Sequence, residues 1–209
     1  MINLFLAYDD NDQELGDYFE ESYDNLLSET SNNTLVITNT LRGLDCSEAN
    51  VNVHTERYKP NSFIFVAFSH GNEELLRTGN EIFISVNNCH FFSKSLFYTS
   101  ACECAVTLGP QLMAKGCLAF VGYNGPVDVW EGYYEVFIEC ENYAIIEFMN
   151  SNKTIGVSFS EMKDKYNEAI DDLVLGNTED KIVASLLVDN RDKLTLLGNA
   201  DLVVKDFDN

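Results

Sequence analysis

The chain is short of positive charge: 13 Lys and Arg stand against 34 Asp and Glu, a formal net charge of −21. A phosphate backbone selects for Lys and Arg, so no nucleic-acid partner is expected. A basic partner or substrate fits this balance, and so does plain solubility. Long apolar runs are missing as well. No window reaches the roughly 18 apolar residues needed to span a bilayer, so no membrane role is expected. The apolar start from Met1 to Tyr8 has no positive flank and runs straight into Asp9 and Asp10, unlike a secretory signal. Internal repeats, linkers and low-complexity stretches are absent too. The expectation is one domain over residues 1–209.

What is present argues for a folded globule. Hydrophobic residues make up 45% of the chain, with Phe and Tyr spread throughout, enough to bury a core. Six cysteines (Cys46, Cys89, Cys102, Cys104, Cys117, Cys140) without a secretory signal read as reduced thiols and a cytoplasmic protein. Cys46, Cys117 and Cys140 are read as structural thiols, small buried hydrophobes.

Strand-like and helix-like segments alternate. Ile2 to Tyr8 reads as a first strand, followed by a helix capped by Asn11 with Leu15, Tyr18, Phe19, Tyr23, Leu26 and Leu27 at helical spacing. Ser31-Asn32-Asn33 reads as a turn, Thr34 to Thr38 as a short strand, and Cys46 to Tyr58 as a helix ended by Pro60. Phe63 to Phe68 is nearly all apolar, as suits a parallel strand covered on both faces. Thr78-Gly79-Asn80 marks a hairpin between Glu74–Arg77 and Glu81–Val86, with a short helix in Asn87 to Ser95. Leu96 to Thr99 is a fourth strand, Glu103 to Lys115 a helix closed by Gly116, and Cys117 to Tyr123 a fifth strand. Helical patterns follow in Trp130 to Met149, Ile155 to Leu173 and Asp180 to Val188, then a last strand from Leu194 to Gly198. This alternation predicts a doubly wound α/β fold, a mostly parallel central sheet with helices on both faces.

The chemistry concentrates at two strand ends. Phe63 to Phe68 stops at Ser69-His70-Gly71, and Leu96 to Thr99 stops at Ser100-Ala101-Cys102-Glu103-Cys104-Ala105. The connection between them is long enough for a parallel crossover, so both ends can share the carboxyl edge, where open α/β sheets bind ligands. A cysteine attacks as its thiolate and needs a base and a positive local field. His70 supplies the base, and a helix opening at Glu103 would supply part of the field. Gly71 would let substrate approach the backbone. The amides of Gly71 and Cys102 would form an oxyanion hole. Taken as pattern alone, His70 and Cys102 also fit two core strands that merely end in these residues.

The motif Ser100-Ala101-Cys102-Glu103-Cys104-Ala105, after its apolar strand, resembles the nucleophile motif of CHAT-domain cysteine peptidases. These are caspase-like proteins related to separase, gingipain and clostripain. Their motif reads Ser-Ala-Cys-Glu-Thr-Ala, so Cys104 stands where they have threonine. Ser69-His70-Gly71 is similar to their His-Gly motif, and the stretches Cys117–Gly122, Pro126–Asp128 and Leu194–Leu202 follow in the family's order. The resemblance runs from Phe63 to the C-terminus. It implies a three-layer caspase-like α/β/α fold and peptide-bond hydrolysis through an acyl-thioenzyme, without metal or cofactor. Cys102 would be the nucleophile, and His70 the base and then acid to the leaving amine. Cys104 would be a packing residue inside the following helix. The family's fused repeats are missing, which implies a separate activating or targeting protein partner. Several relatives hold Arg or Lys in an acidic S1 pocket. Asp9, Asp10 and Asp128 lie in loops at the same sheet edge and are the candidate substrate-binding carboxylates, although each also reads as a solvated loop acid.

Other readings compete. Asp9 and Asp10 after the first strand are similar to a receiver domain's Mg²⁺ acids, but Ser69-His70-Gly71 stands where a phosphorylatable Asp is needed. Zinc on Cys89, His90, Cys102 and Cys104 lacks the usual ligand spacing. A catalytically silent caspase-like adaptor keeps the fold and loses the activity.

Overall fold

Parallel strands buried on both faces leave no room for polar side chains, and the apolar runs of this chain are used in that way. The computed structural model describes residues 1–31, 36–79 and 81–208. Its strands are β1 (Ile2–Tyr8), β2 (Val36–Arg42), β3 (Phe63–Phe68), β4 (His70–Gly71), β5 (Leu75–Thr78), β6 (Glu81–Ser85), β7 (Ser95–Thr99), β8 (Ala119–Tyr123) and β9 (Leu194–Gly198). The helices are α1 (Gly16–Thr30), α2 (Glu48–Tyr58), α3 (Leu108–Ala114), α4 (Tyr134–Asn150), α5 (Ile155–Leu173) and α6 (Thr178–Lys193). The central sheet has the order β2-β1-β3-β7-β8-β9. Its strands run parallel except β9, which is antiparallel to β8.

Successive residues of each strand face opposite layers. Leu4, Leu6, Ile64, Val66, Leu96 and Tyr98 pack with α1, α4, α5 and α6 on one face. Phe5, Ala7, Phe65, Ala67 and Phe97 pack on the other face with α2, α3 and the small antiparallel sheet β4-β5-β6. Burying each Leu, Val or Phe contributes roughly 1.5–3 kcal/mol relative to exposure, so these two faces hold the sheet in place. The fold is thus the expected mostly parallel sheet flanked by helices on both sides.

Several local expectations change. The helix expected from Glu103 to Lys115 is confined to α3, and residues 102–107 form turns. The amides there are bound elsewhere: Glu103 N–H donates to Gly125 O and Ala105 N–H to Tyr123 O, both at 2.9 Å. Glu103 itself sits at φ 60°, outside helical space. α1 begins at Gly16, and the cap-like bonds come from Asp12 rather than Asn11. α6 starts two residues earlier than expected, at Thr178, because Asn177 and Asp180 form a reciprocal capping box. His70 and Gly71 continue past β3 as a short strand paired to Arg77 and Leu76, a pairing too brief to read from pattern. Ser95 and β2 shift the expected boundaries by a few residues. Asn32, Asn33, Thr34, Leu35 and Asn80, parts of the expected turn, strand and hairpin, lie outside the described residues. Among the described residues, no helix is long and apolar enough to cross a membrane.

Candidate active site

Strand register brings the two motifs together. β3 and β7 are adjacent and parallel, with Ala67 opposite Thr99; His70 and Cys102 each lie three residues beyond that pair. The segment between is stitched across the strand ends. Thr99 Oγ1 donates to Ala67 O at 3.0 Å and accepts from the Ala101 amide at 3.1 Å. Ser100 N–H reaches Ala67 O at 3.4 Å. The outcome is a narrow pocket of about 30 Å³, room for one or two waters. Its lining includes His70, Cys102, Tyr18, Val127, Val129 and Glu141.

Gly71 holds the two loops against each other. A Cβ there would meet Ala101 Cβ and Cys104 Sγ, each at 2.8 Å, and Leu75 O at 3.1 Å. The space expected to admit substrate at Gly71 is therefore filled by the cysteine loop itself. Cys104 is buried, as expected of a packing residue, but in the turn rather than in a helix; its thiol contacts Asn72 O at 3.4 Å.

Cys102 is half-buried, and its Sγ accepts a hydrogen bond from the Val127 amide at 3.2 Å. Burial pushes the thiol above its ordinary value, the Val127 amide opposes this, and the charges of Glu103, Glu141 and Asp128 add to the rise. No helix begins at Cys102, so the expected helix-end field is absent; the Val127 amide is the local positive group instead. The loop bearing Val127 is fastened to α6. The Asn190 side chain accepts from Asp128 N at 3.1 Å and donates to Asp128 O at 2.7 Å, and Lys193 Nζ donates to Pro126 O at 2.6 Å.

His70 is partly exposed. Its Nε2 lies 3.1 Å from Asp12 Oδ2, and its ring meets Phe19 edge-on at 5.4 Å. Asp12 Oδ1 accepts from the amides of Glu14 at 3.0 Å and Leu15 at 2.8 Å. Burial alone would raise the Asp12 carboxyl, but these amides and His70 hold it below its ordinary value.

Glu141, from α4, is fully buried at the pocket and was not singled out in the sequence. Its Oε2 accepts from Tyr18 Oη at 2.6 Å, while Oε1 has no hydrogen-bond partner. Burial pushes this carboxyl up to about 8, against the Tyr18 bond that lowers it. A lone Glu in an apolar helical pattern gives no sequence signal for such a place.

No family model matches the chain, and no curated protein matches it. Among solved structures the chain is similar to a secreted C11 cysteine protease from Bacteroides thetaiotaomicron in complex with an irreversible peptide inhibitor. The identity is 13%, covering 86% of this chain and 72% of that one, with a TM-score of 0.42. It is also similar to an inactive zymogen C11 protease from Parabacteroides distasonis, at 15% identity over 86% of this chain and 68% of that one, with a TM-score of 0.42.

The three acids expected to bind substrate do not line the pocket of Cys102. Asp9 is buried, its carboxylate taken by the amides of Gly79 at 3.0 Å and Asn11 at 3.3 Å. Asp10 faces Arg42 at 4.0 Å, and Asp128 faces Lys193 at 4.0 Å. Among the described residues, no three His, Cys, Asp or Glu side chains converge as a metal-binding set.

Proposed function

We propose that the chain is a caspase-like cysteine endopeptidase of the CHAT kind. Cys102 acts as nucleophile and His70 as base, then as acid to the leaving amine. The observation that carries this reading is that a thiol and an imidazole from adjacent parallel strand ends line one pocket. The Cys102 thiol attacks the scissile carbonyl and yields its proton to His70. The tetrahedral oxyanion rests on the Gly71 and Cys102 amides, the amine departs with the proton, and water hydrolyses the acyl-thioenzyme.

The substrate is a protein cut after a basic residue. Glu141 is better placed for that preference than Asp9, Asp10 or Asp128, because its carboxyl lines the pocket of Cys102. Burial keeps that carboxyl protonated near neutral pH, and an entering Lys or Arg cation would favour its ionised form. Leu15, Phe19, Val127 and Val129 offer apolar walls for the methylenes of a Lys or Arg side chain. At about 30 Å³ the pocket is too small for that side chain until the loop carrying Val127 moves. That closure, and the raised thiol, favour activation by a protein partner in the cytoplasm. The same two features fit a silent caspase-like adaptor.

A peptide-library cleavage assay on wild type, Cys102→Ala and His70→Ala separates these readings. Cleavage by wild type alone supports the pair, and cleavage persisting in both variants removes it. Arg and Lys peptides cut no faster than Met, Leu or Asp peptides remove the basic preference and leave the peptidase. Inactivity of all three proteins, with and without cell extract, favours the adaptor.

A further inference from the structure

We propose that Asp12 is the positioning residue of the site, fixing which nitrogen of His70 carries the proton. The inference rests on the cysteine-peptidase reading but adds a third member to its pair. Asp12 contacts His70 alone of the two reacting side chains, through Oδ2 at 3.1 Å from Nε2. An ionised carboxylate can only accept, so Nε2 must be the protonated nitrogen of the neutral ring. Nδ1 is then left with a free lone pair, the form a base needs to take the Cys102 proton.

The carboxylate is itself held in place. Its other oxygen accepts from two amides in the turn just before α1, Glu14 and Leu15, at 3.0 and 2.8 Å. The loop after β1 is tied to the end of β3 by the Asp9 amide on Phe68 O at 3.1 Å. Asp12 thus reaches His70 from the strand on the side of β3 opposite the one that carries Cys102. Phe19, on α1 just after that turn, sets the plane of the imidazole edge-on at 5.4 Å. Each of these contacts restrains a different freedom of His70: Phe19 its plane, Asp12 its tautomer.

Asp12→Asn is the informative substitution. Its carbonyl oxygen can keep the Glu14 and Leu15 amides, which leaves the amide NH₂ facing Nε2. That group donates, so it demands the opposite tautomer and blocks Nδ1 as a base. The expected result is a fall in kcat of about 10²- to 10⁴-fold with KM changed less than about 3-fold. In parallel, the ¹⁵N shifts of His70 should move from a protonated Nε2 in wild type to a protonated Nδ1 in the variant. Asp12→Ala, which removes the Glu14 and Leu15 contacts as well, shows by its unfolding curve how much of any loss is structural. Wild-type kcat in Asp12→Asn, a lost kcat with the tautomer unchanged, or an Nδ1-protonated wild type would each overturn the proposal. If wild type cleaves no peptide, the ¹⁵N spectra still decide the role of Asp12, separately from the peptidase reading.

Discussion

The Val127 amide donates to Cys102 Sγ across 3.2 Å, so the thiol is fastened to the loop that closes its own pocket. One bond does two things. It offers a positive group to the thiol, and it keeps the loop where a large side chain cannot enter.

Alkylation should single out this cysteine. Of the six, Cys102 alone is half-exposed. Burial pushes Cys46 and Cys140 up to about 12 and Cys89 and Cys117 up to about 11, and raises Cys104 beyond the ordinary thiol range. Native protein treated with iodoacetamide and mapped by mass spectrometry should carry its first adduct on Cys102. The rate should be below that of a free thiol at neutral pH and climb as pH rises. First modification at any other cysteine contradicts the geometry.

Glu103 gives a way to lower that thiol. Its charge raises Cys102, and its φ of 60° is one that Asn tolerates better than Glu. Glu103→Asn should leave the fold as stable or slightly more so and speed alkylation of Cys102 at pH 7. A slower reaction would mean that the Glu103 charge does not act on the thiol.

Gly71 is a packing requirement. A methyl group there meets Ala101 Cβ and Cys104 Sγ at 2.8 Å and Leu75 O at 3.1 Å; the first cannot rotate away, the second is fully buried and the third is backbone. Gly71→Ala should cost about 1–3 kcal/mol in urea unfolding. If the proposed peptidase reading holds, it should also reduce cleavage, since it pries the His70 strand from the Cys102 turn. Full stability in the variant would show that the two loops can part freely.

The sheet was legible because its strands are continuous apolar runs bounded by polar turns, as in Phe63–Phe68 and Leu96–Thr99. The His70 and Cys102 positions followed from those strand ends. The segment after Cys102 misled because Glu103 to Lys115 has helical spacing while its first amides bond to Tyr123 O and Gly125 O, partners invisible in a local pattern. The acids were misplaced for a similar reason. Being in a loop at the right edge does not say where a carboxylate points, and Asp9 points to Gly79 while Asp12 points to His70. Glu141 comes from a helix more than a hundred residues beyond its partner Tyr18, and only tertiary packing brings it to the pocket.

Glu141 should make stability fall with pH. Its folded-state value, raised to about 8 by burial, exceeds that of a free Glu, so the folded protein binds more protons than the unfolded chain between them. The contribution of the protonated form is complete below pH ~4.5 and is lost as pH rises to about 8, on the order of a few kcal/mol. Glu141→Gln keeps the shape and cannot ionise. Its urea midpoint should match wild type near pH 5 and exceed it near pH 8. Parallel pH profiles for the two proteins would show that Glu141 does not titrate with folding.

The last test concerns the fastening of the loop. Asn190 is wholly buried and spends its side chain on both backbone groups of Asp128, the residue after Val127. Removing it takes the protein partner from the part-buried amide and carbonyl of Asp128, which costs up to about 1–3 kcal/mol each where no water replaces it. Without Asn190 the loop loses its two bonds to α6 at Asp128, and a loop that lifts there withdraws the Val127 amide from Cys102. Asn190→Ala should therefore destabilise the protein moderately and, at the same time, widen the pocket. The widening reads out as faster capture of Cys102 by a bulky maleimide than in wild type, with a smaller gain for iodoacetamide, which needs little room. Lys193→Ala, which drops one bond to Pro126 O, should move both rates the same way by a lesser amount. If neither variant changes the ratio of the two rates, the loop is not what limits access to the Cys102 thiol, and the closed pocket must open elsewhere.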